Sequence, residues 1–255
     1  DHEGALGLWE RALALSPHDP EVLLCAGNSF AALGRVDEAL ATLRDQLGLN
    51  APLPSRYLTW ITGFFTGDLG VSHTYRVPIA DLIGQRLVVS LPLALYALAL
   101  STLIAIPIGL IAATRAGKAT DTGIMAATQL GIAVPNFWFA MFLVLIFAIN
   151  LRWFPSGGFS GWDKGLFAGL KSLTLPAIAL AVQQASIMAR VTRSATIETL
   201  HQDYIRTARA KGLTRRQTVI RHALRNAMIP VLTILGLQFS FLLAGAIIIE
   251  NVFFL

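Results

Sequence analysis

Residues able to do chemistry are few in this sequence, and their spacing assembles no catalytic or metal site. The Gly-Lys pair in "RAGKAT" (115–120) is not a phosphate-binding loop, because Ala112 and Ala119 stand where that motif needs a glycine and a hydroxyl residue. The five histidines show no i,i+4 pair: His2, His18, His73, His201 and His222. The single Cys25 has no disulfide partner within the chain. The sequence therefore predicts no catalytic residue, no cofactor and no metal.

The composition instead indicates a membrane protein. Of the 255 residues, 55% are hydrophobic and 14% are charged, whereas soluble domains have about 45–50% and about 25%. Four runs contain no Asp, Glu, Lys or Arg and can cross a bilayer as helices: 87–114, 122–151, 172–189 and 226–249. The absence of acids from these runs argues against a proton relay. We expect an all-α polytopic membrane protein with these four spans.

Positive charge is concentrated between the third and fourth runs. Residues 190–225 carry nine basic and two acidic residues, a net +7, although the whole chain has only +5. The positive-inside rule explains this as a cytoplasmic loop, and no nucleic-acid recognition motif accompanies the charge. Alternation of spans then places 115–121 inside and both 50–86 and 152–171 outside.

Spacing within this basic loop predicts a helix, a turn and a short second helix. The third span is expected to continue as a helix to Lys211, and Gly212 to follow it in the left-handed conformation. "TRRQ" (214–217) is a capping-box pattern that begins a helix over 215–225. The apolar side chains of that helix suit a groove in a partner protein or an anionic lipid surface. The residues alone leave both possibilities open.

Residues 1–42 differ from the rest of the chain. "EGALGLWERALALSP" (3–17) aligns with "DEALATLRDQLGLNA" (37–51) at a spacing of 34 residues, which is the tetratricopeptide period. Gly27 and Ala39 are expected to allow close helix packing, Phe30 to fill the interface and Gly34 to make the turn. Fewer than two repeats are present, so we expect a helical stub rather than a repeat array.

Residues 43–86 are broken by prolines and carry an aromatic cluster of Tyr57, Trp60, Phe64 and Phe65. This pattern is typical of an extracytoplasmic segment at the membrane interface. Packing within the protein would also explain it.

Five stretches carry a resemblance to a known family. They are "DYIRTARAKGLTRRQTVIRHALRNAMIPV" (203–231), "LRDQLGLNAPLPSRYLTW" (43–60), "GDLGVSHTYRVPI" (67–79), "AVPNFWFA" (133–140) and "ENVFFL" (250–255). Residues 43–255 resemble permease subunits of bacterial ABC importers of the dipeptide, oligopeptide and nickel class. Ala208 and Gly212 match the family's Glu-Ala-Ala…Gly pattern, whereas Arg206 and Thr207 replace its first two residues. That family has six spans, so we expect the first and last to be missing here.

The resemblance implies a non-catalytic transport subunit in the bacterial inner membrane. Its path would carry peptides or a related small solute, such as a nickel chelate or glutathione. The implied partners are a second homologous permease, two cytoplasmic ATPases docked on loop 203–225, an extracytoplasmic substrate-binding protein and the bilayer, with no nucleic acid. The alternative function is a membrane-anchored tetratricopeptide scaffold.

Two sets of site residues follow from this resemblance. Those expected to couple to the ATPases are Asp203, Tyr204, Ala208, Lys211, Gly212, Thr214, Val219, Ile220 and Leu224. Polar residues in the spans are candidates for the solute path, although hydrogen bonding between helices would explain each equally well. They are Gln129, Asn136, Gln183, Gln184, Ser186 and Gln238. Pro107 and Pro135 are expected to kink or end helices.

Overall fold

The computed structural model describes residues 2–15, 20–72, 74–75 and 77–255, and it contains helices but no strand within these ranges. The predicted all-α class is confirmed. The chain divides into two units, Asp1–Ile83 and Gly84–Leu255.

The first unit begins with three helices around a small core. They are α1 (His2–Leu15), α2 (Pro20–Ala32) and α3 (Val36–Gln46). Phe30 is buried among its neighbours as expected, and Gly34 has a left-handed φ of +73° at the turn. A Cβ atom at Gly27 would lie 2.9 Å from Thr42 Oγ1, so the glycine permits the close approach of α2 and α3. The tetratricopeptide interpretation of these helices stays a prediction.

The aromatic cluster of the first unit lies on α4 (Leu53–Thr66). This helix begins after Pro52 and ends at Gly67, whose φ is +83°. It has no buried residue, and its four aromatic side chains are exposed. An apolar helix of this kind suits the membrane interface, and that location also stays a prediction.

Three long apolar helices of the second unit can span a membrane. They are α5 (Ile79–Thr114, which begins in the first unit), α8 (Leu166–Leu200) and a continuous helix over Arg215–Phe253, called here the last helix. The last helix comprises α10 (Arg215–Gln217), a π-helical segment (Thr218–Ala223) and α11 (Leu224–Phe253). Each has at least 35 residues, well above the roughly 20 that a bilayer core requires.

The run 122–151 forms two helices that meet at a bend rather than one straight helix. It contains α6 (Ala119–Ala133) and α7 (Asn136–Leu143), and α7 continues as a π-helical segment over Val144–Asn150. The two halves meet at an angle of 97°. Pro135 lacks an N–H and restricts Val134 to an extended conformation, with φ −80° and ψ 124°. Pro135 therefore ends a helix as predicted, whereas α5 runs unbroken through Pro107.

Contacts at both ends of the bent pair show that it runs the length of the bundle. Near its start, Asp121 accepts hydrogen bonds from Arg193, near the end of α8. Beyond its other end, the backbone N–H of Gly158 donates to the carbonyl of Phe253, at the end of the last helix, over 2.7 Å. The pair is therefore a broken span rather than a hairpin that returns to its starting side.

Small residues let α5 and α8 pack closely. The buried face of α5 carries one small residue every four positions, at Ala97, Ser101, Ala105 and Gly109. Such a stripe allows helix backbones to approach in a membrane. At Gly109 an added Cβ would lie 2.6 Å from the carbonyl oxygen of Ala189, so this crossing depends on glycine.

Candidate functional site

The basic segment 190–225 changes direction at residue 201, earlier than the sequence predicted. Helix α8 ends at Leu200, His201 and Gln202 form a turn, and a separate helix α9 covers Asp203–Ala210. The expectation of one helix to Lys211 is wrong because α9 folds back to bury Ile205 and Ala208. Helix α9 has an acid, Asp203, in its first turn and a base, Arg209, in its last turn. Both charges interact favourably with the helix dipole.

The turn after α9 agrees with its sequence signals. Gly212 adopts a φ of +85°, the left-handed conformation predicted for it. Thr214 and Gln217 form the predicted capping box. The backbone N–H of Gln217 donates to Thr214 Oγ1 over 3.3 Å, and the backbone N–H of Thr214 donates to Gln217 Oε1 over 3.0 Å. Both bonds satisfy N–H groups at a helix start that would otherwise lack partners.

The helix that begins at Arg215 is not a short surface helix, and that expectation is wrong. It continues past residue 225 to Phe253. The physical reason is an unbroken buried stripe at Ala223, Ala227 and Val231, spaced by four residues across the expected boundary. No glycine or proline interrupts the helix between 215 and 229.

Helix α9 is held against the start of the last helix. Ile205 and Ala208 form its inner side, and the buried residues of the π-helical segment are Thr218, Val219 and Ala223. Asn226 Nδ2 donates a hydrogen bond of 2.6 Å to Tyr204 Oη and ties the two elements together. The outer side carries Asp203, Arg206, Thr207 and Ala210, all exposed. The inner side of α9 is therefore fixed to the last helix, and its outer side is exposed to a partner.

The predicted coupling residues divide into outward and inward groups. Asp203, Tyr204, Lys211, Gly212, Thr214 and Ile220 are exposed, and Leu224 is half-buried. Ala208 and Val219 are only 6% and 4% exposed. The possibility that Val219 enters a partner groove is therefore corrected, because its side chain is covered within this chain. Ala208, for which no insertion was expected, is covered too, and both residues help to position α9.

The predicted path residues also divide. Asn136 and Gln183 line one cavity of about 250 Å³ beside the bend between α6 and α7. Gln129 is exposed and accepts a hydrogen bond of 2.7 Å from Arg190. Ser186 donates to the carbonyl of Val182, and Gln238 donates to the carbonyl of Gln184. Gln238 thus takes part in hydrogen bonding between helices, the alternative expected for such residues, whereas the bond of Ser186 lies within α8.

Asp121 is a structurally important residue that the sequence patterns did not single out. Its side chain is 5% exposed and receives Arg193 Nε at 2.5 Å and Nη2 at 2.7 Å, together with the backbone N–H of Gly117. The ion pair joins the 115–121 loop to the end of α8. The sequence feature that could have indicated this residue is an acid in the first turn of a helix, just before a charge-free run.

Comparison with known proteins identifies the family. Residues 105–254 match the family described as "Binding-protein-dependent transport system inner membrane component". The chain belongs to this family. As a member it is a non-catalytic permease subunit in the inner membrane, and permeases of ABC importers work with ATPase and substrate-binding subunits. The scaffold alternative is not favoured.

Relatives of this inner membrane component are similar over most of the chain. A putative peptide transport system permease protein of Brucella abortus (strain 2308) is 39% identical over 241 residues, 94% of this chain and 75% of the relative. The glutathione transport system permease protein GsiC of Salmonella choleraesuis (strain SC-B67) is 38% identical, covering 94% and 74%. The oligopeptide transport system permease protein AppB of Bacillus subtilis (strain 168) is 38% identical, covering 82% and 67%.

Proposed function

We propose that this permease forms part of the path through which an ABC importer carries peptides or a related small solute such as glutathione. The substrate class rests on the names of the relatives, which are peptide, oligopeptide and glutathione permeases. The cavity lined by Asn136 and Gln183 supports a place for the path, because it offers amide groups beside a broken span. A second homologous permease would complete the path, and an extracytoplasmic binding protein would deliver the solute.

Helix α9 is the proposed docking element for a cytoplasmic ATPase. The observation that supports this is its geometry: one side is packed on the last helix and the other is exposed at the basic end of the bundle. A short helix held in this way can transmit a push from a partner to α8 and the last helix. With two permeases in the complex, two ATPases would dock. The ATPases would supply nucleotide hydrolysis, for which this chain has no phosphate-binding motif.

The docking proposal is tested by blocking the outer side of α9. Thr207 is exposed there, so Thr207→Trp leaves the fold intact and places a bulky ring in the interface. Such overpacking costs about 1–3 kcal/mol, so we expect co-purification of the ATPase subunits to fall roughly ten- to hundredfold. Ser156→Trp is the matched control, since Ser156 is exposed at the opposite end of the bundle. Unchanged ATPase recovery with Thr207→Trp would overturn the docking assignment.

The substrate class is tested separately, in proteoliposomes that contain the complete transporter and its binding protein. Stimulation of ATP hydrolysis by short peptides or by glutathione is the expected result. A transporter stimulated by neither, but active with another solute, would overturn the substrate proposal and leave the docking assignment standing.

A further inference from the structure

A groove lined by basic residues lies at the end of the bundle that carries segment 190–225. It has a volume of about 480 Å³, within the range of roughly 300–1,000 Å³ typical of small-molecule sites. Arg115 and Lys118 border it from the loop after α5, and Arg215 and Arg216 from the first turn of the last helix. Among the described residues, none of these four side chains forms an ion pair, whereas nearby Asp121 is already engaged by Arg193.

The inside of the groove is apolar. Leu110 and Ile111 from α5 and Val219 and Ile220 from the last helix lie along it. Ile111 and Ile220 are 43% and 48% exposed, so the groove leaves apolar surface uncovered. Contact with such a surface does not stabilise the binding of a soluble anion, whereas burial of an acyl chain against it is favourable.

The position of the groove relative to the membrane follows from the chain itself. Leu110 and Ile111 belong to the charge-free run 87–114, and Arg115 is the first charge after it. The guanidinium of Arg215 donates to the backbone carbonyl of Thr114, so the start of the last helix lies level with the end of α5. The apolar part of the groove therefore lies at the edge of the hydrocarbon, and the cations lie at headgroup level.

We propose that this groove, called here the basic groove, binds an acidic phospholipid of the predicted cytoplasmic leaflet. The phosphate would lie among Arg115, Lys118, Arg215 and Arg216, and an acyl chain along Ile111 and Ile220. Basic pockets between spanning helices bind anionic headgroups in this way. The site is distinct from α9, and the proposal does not depend on ATPase docking.

The test uses the purified transporter complex, titrated with phosphatidylglycerol or phosphatidylcholine of equal chain length and analysed by native mass spectrometry. We expect a preference for phosphatidylglycerol. Each basic residue near a membrane surface contributes roughly fivefold to anionic lipid binding, so the double variant Arg215→Gln/Arg216→Gln should weaken it about thirtyfold. Arg115→Gln/Lys118→Gln should act similarly, and it leaves the bond from Arg215 to Thr114 in place.

The matched control is Arg221→Gln/Arg225→Gln, which removes the same charge from the same helix outside the groove. Equal losses in the control and the groove variants would show general surface attraction and overturn the proposal. Displacement of the lipid by glycerophosphoglycerol or inorganic phosphate would show a soluble-anion site and overturn it too. If the groove variants lose the ATPase subunits but keep the lipid, the groove is a protein interface instead.

Discussion

Gly109 controls how closely α5 approaches α8. A Cβ atom added at residue 109 would lie 2.6 Å from the carbonyl oxygen of Ala189 and 2.7 Å from Cβ of Thr192, so no side chain fits there. Gly109→Ala should lower the unfolding free energy by about 1–3 kcal/mol, the usual cost of overpacking. Thermal unfolding in detergent measures this effect.

Gly123 provides the control for that substitution. It lies in α6, where an added Cβ would meet no atom within 4 Å. Gly123→Ala should therefore be neutral or stabilise by about 0.4–1 kcal/mol through the unfolded state. Similar stability changes for both variants would show that the α5–α8 crossing does not depend on Gly109.

Gln183 and Gln184 are adjacent but should differ in transport. Gln183 lines the cavity with Asn136, whereas Gln184 offers its backbone carbonyl to the side chain of Gln238. Removing one hydrogen-bonding group costs about 0.5–1.5 kcal/mol, so Gln183→Leu should reduce uptake up to roughly tenfold. Gln184→Leu, which keeps its carbonyl, should retain uptake. Normal uptake by Gln183→Leu in an intact complex would remove this residue from the path.

At the scale of elements, the cap between α9 and the last helix should hold the start of that helix. Thr214→Ala removes the acceptor for the Gln217 N–H and should cost about 1 kcal/mol. Hydrogen exchange of amides 215–219 should accelerate roughly fivefold as the first turn opens. Thr207→Ala is the control, because the hydroxyl of Thr207 donates to the carbonyl of Asp203 within α9. Equal exchange in both variants would show that the cap does not hold the turn.

Local signals predicted this turn, and packing between elements decided what surrounds it. Gly212 and the Thr214–Gln217 box act within a few residues, so the sequence alone places them. The break at His201 depends on the burial of Ile205 and Ala208 against the last helix, which no local pattern reveals. The continuation beyond residue 225 depends on the buried stripe of Ala223, Ala227 and Val231. For the same reason the sequence could not tell that Val219 is buried while about half of Ile220 is exposed.

At the scale of the whole molecule, hydrophobic runs predicted the number of crossings but not their shape. Lack of charge marked all four runs, because charged residues are costly in a bilayer core. The break at Pro135 was predicted, whereas the angle of 97° between the two halves of the second run was not. The contact between Asp121 and Arg193 joins residues 72 positions apart, and spacing along the chain carries no information on such a pair.

The similarity to the relatives also bears on residues 1–42. The match to the Brucella abortus protein covers 94% of this chain, which leaves only a small part of the chain outside it. Most of the stub therefore lies inside the region matched to a permease. This overlap weighs against an origin of the stub in another gene product.

The stub should nevertheless be dispensable for transport itself. Its helices have their own small core around Ala26 and Phe30, and the proposed path and docking elements all lie within Gly84–Leu255. Because this small core lies within the first unit, its loss should not open the core of the second. Deletion of residues 1–42, which also removes Val36–Thr42 from α3, should therefore leave uptake within about twofold of the intact transporter. The measurement is solute uptake into proteoliposomes, normalised to inserted permease. Loss of insertion or of ATPase co-purification on deletion would instead show that the stub is an integral part of the permease.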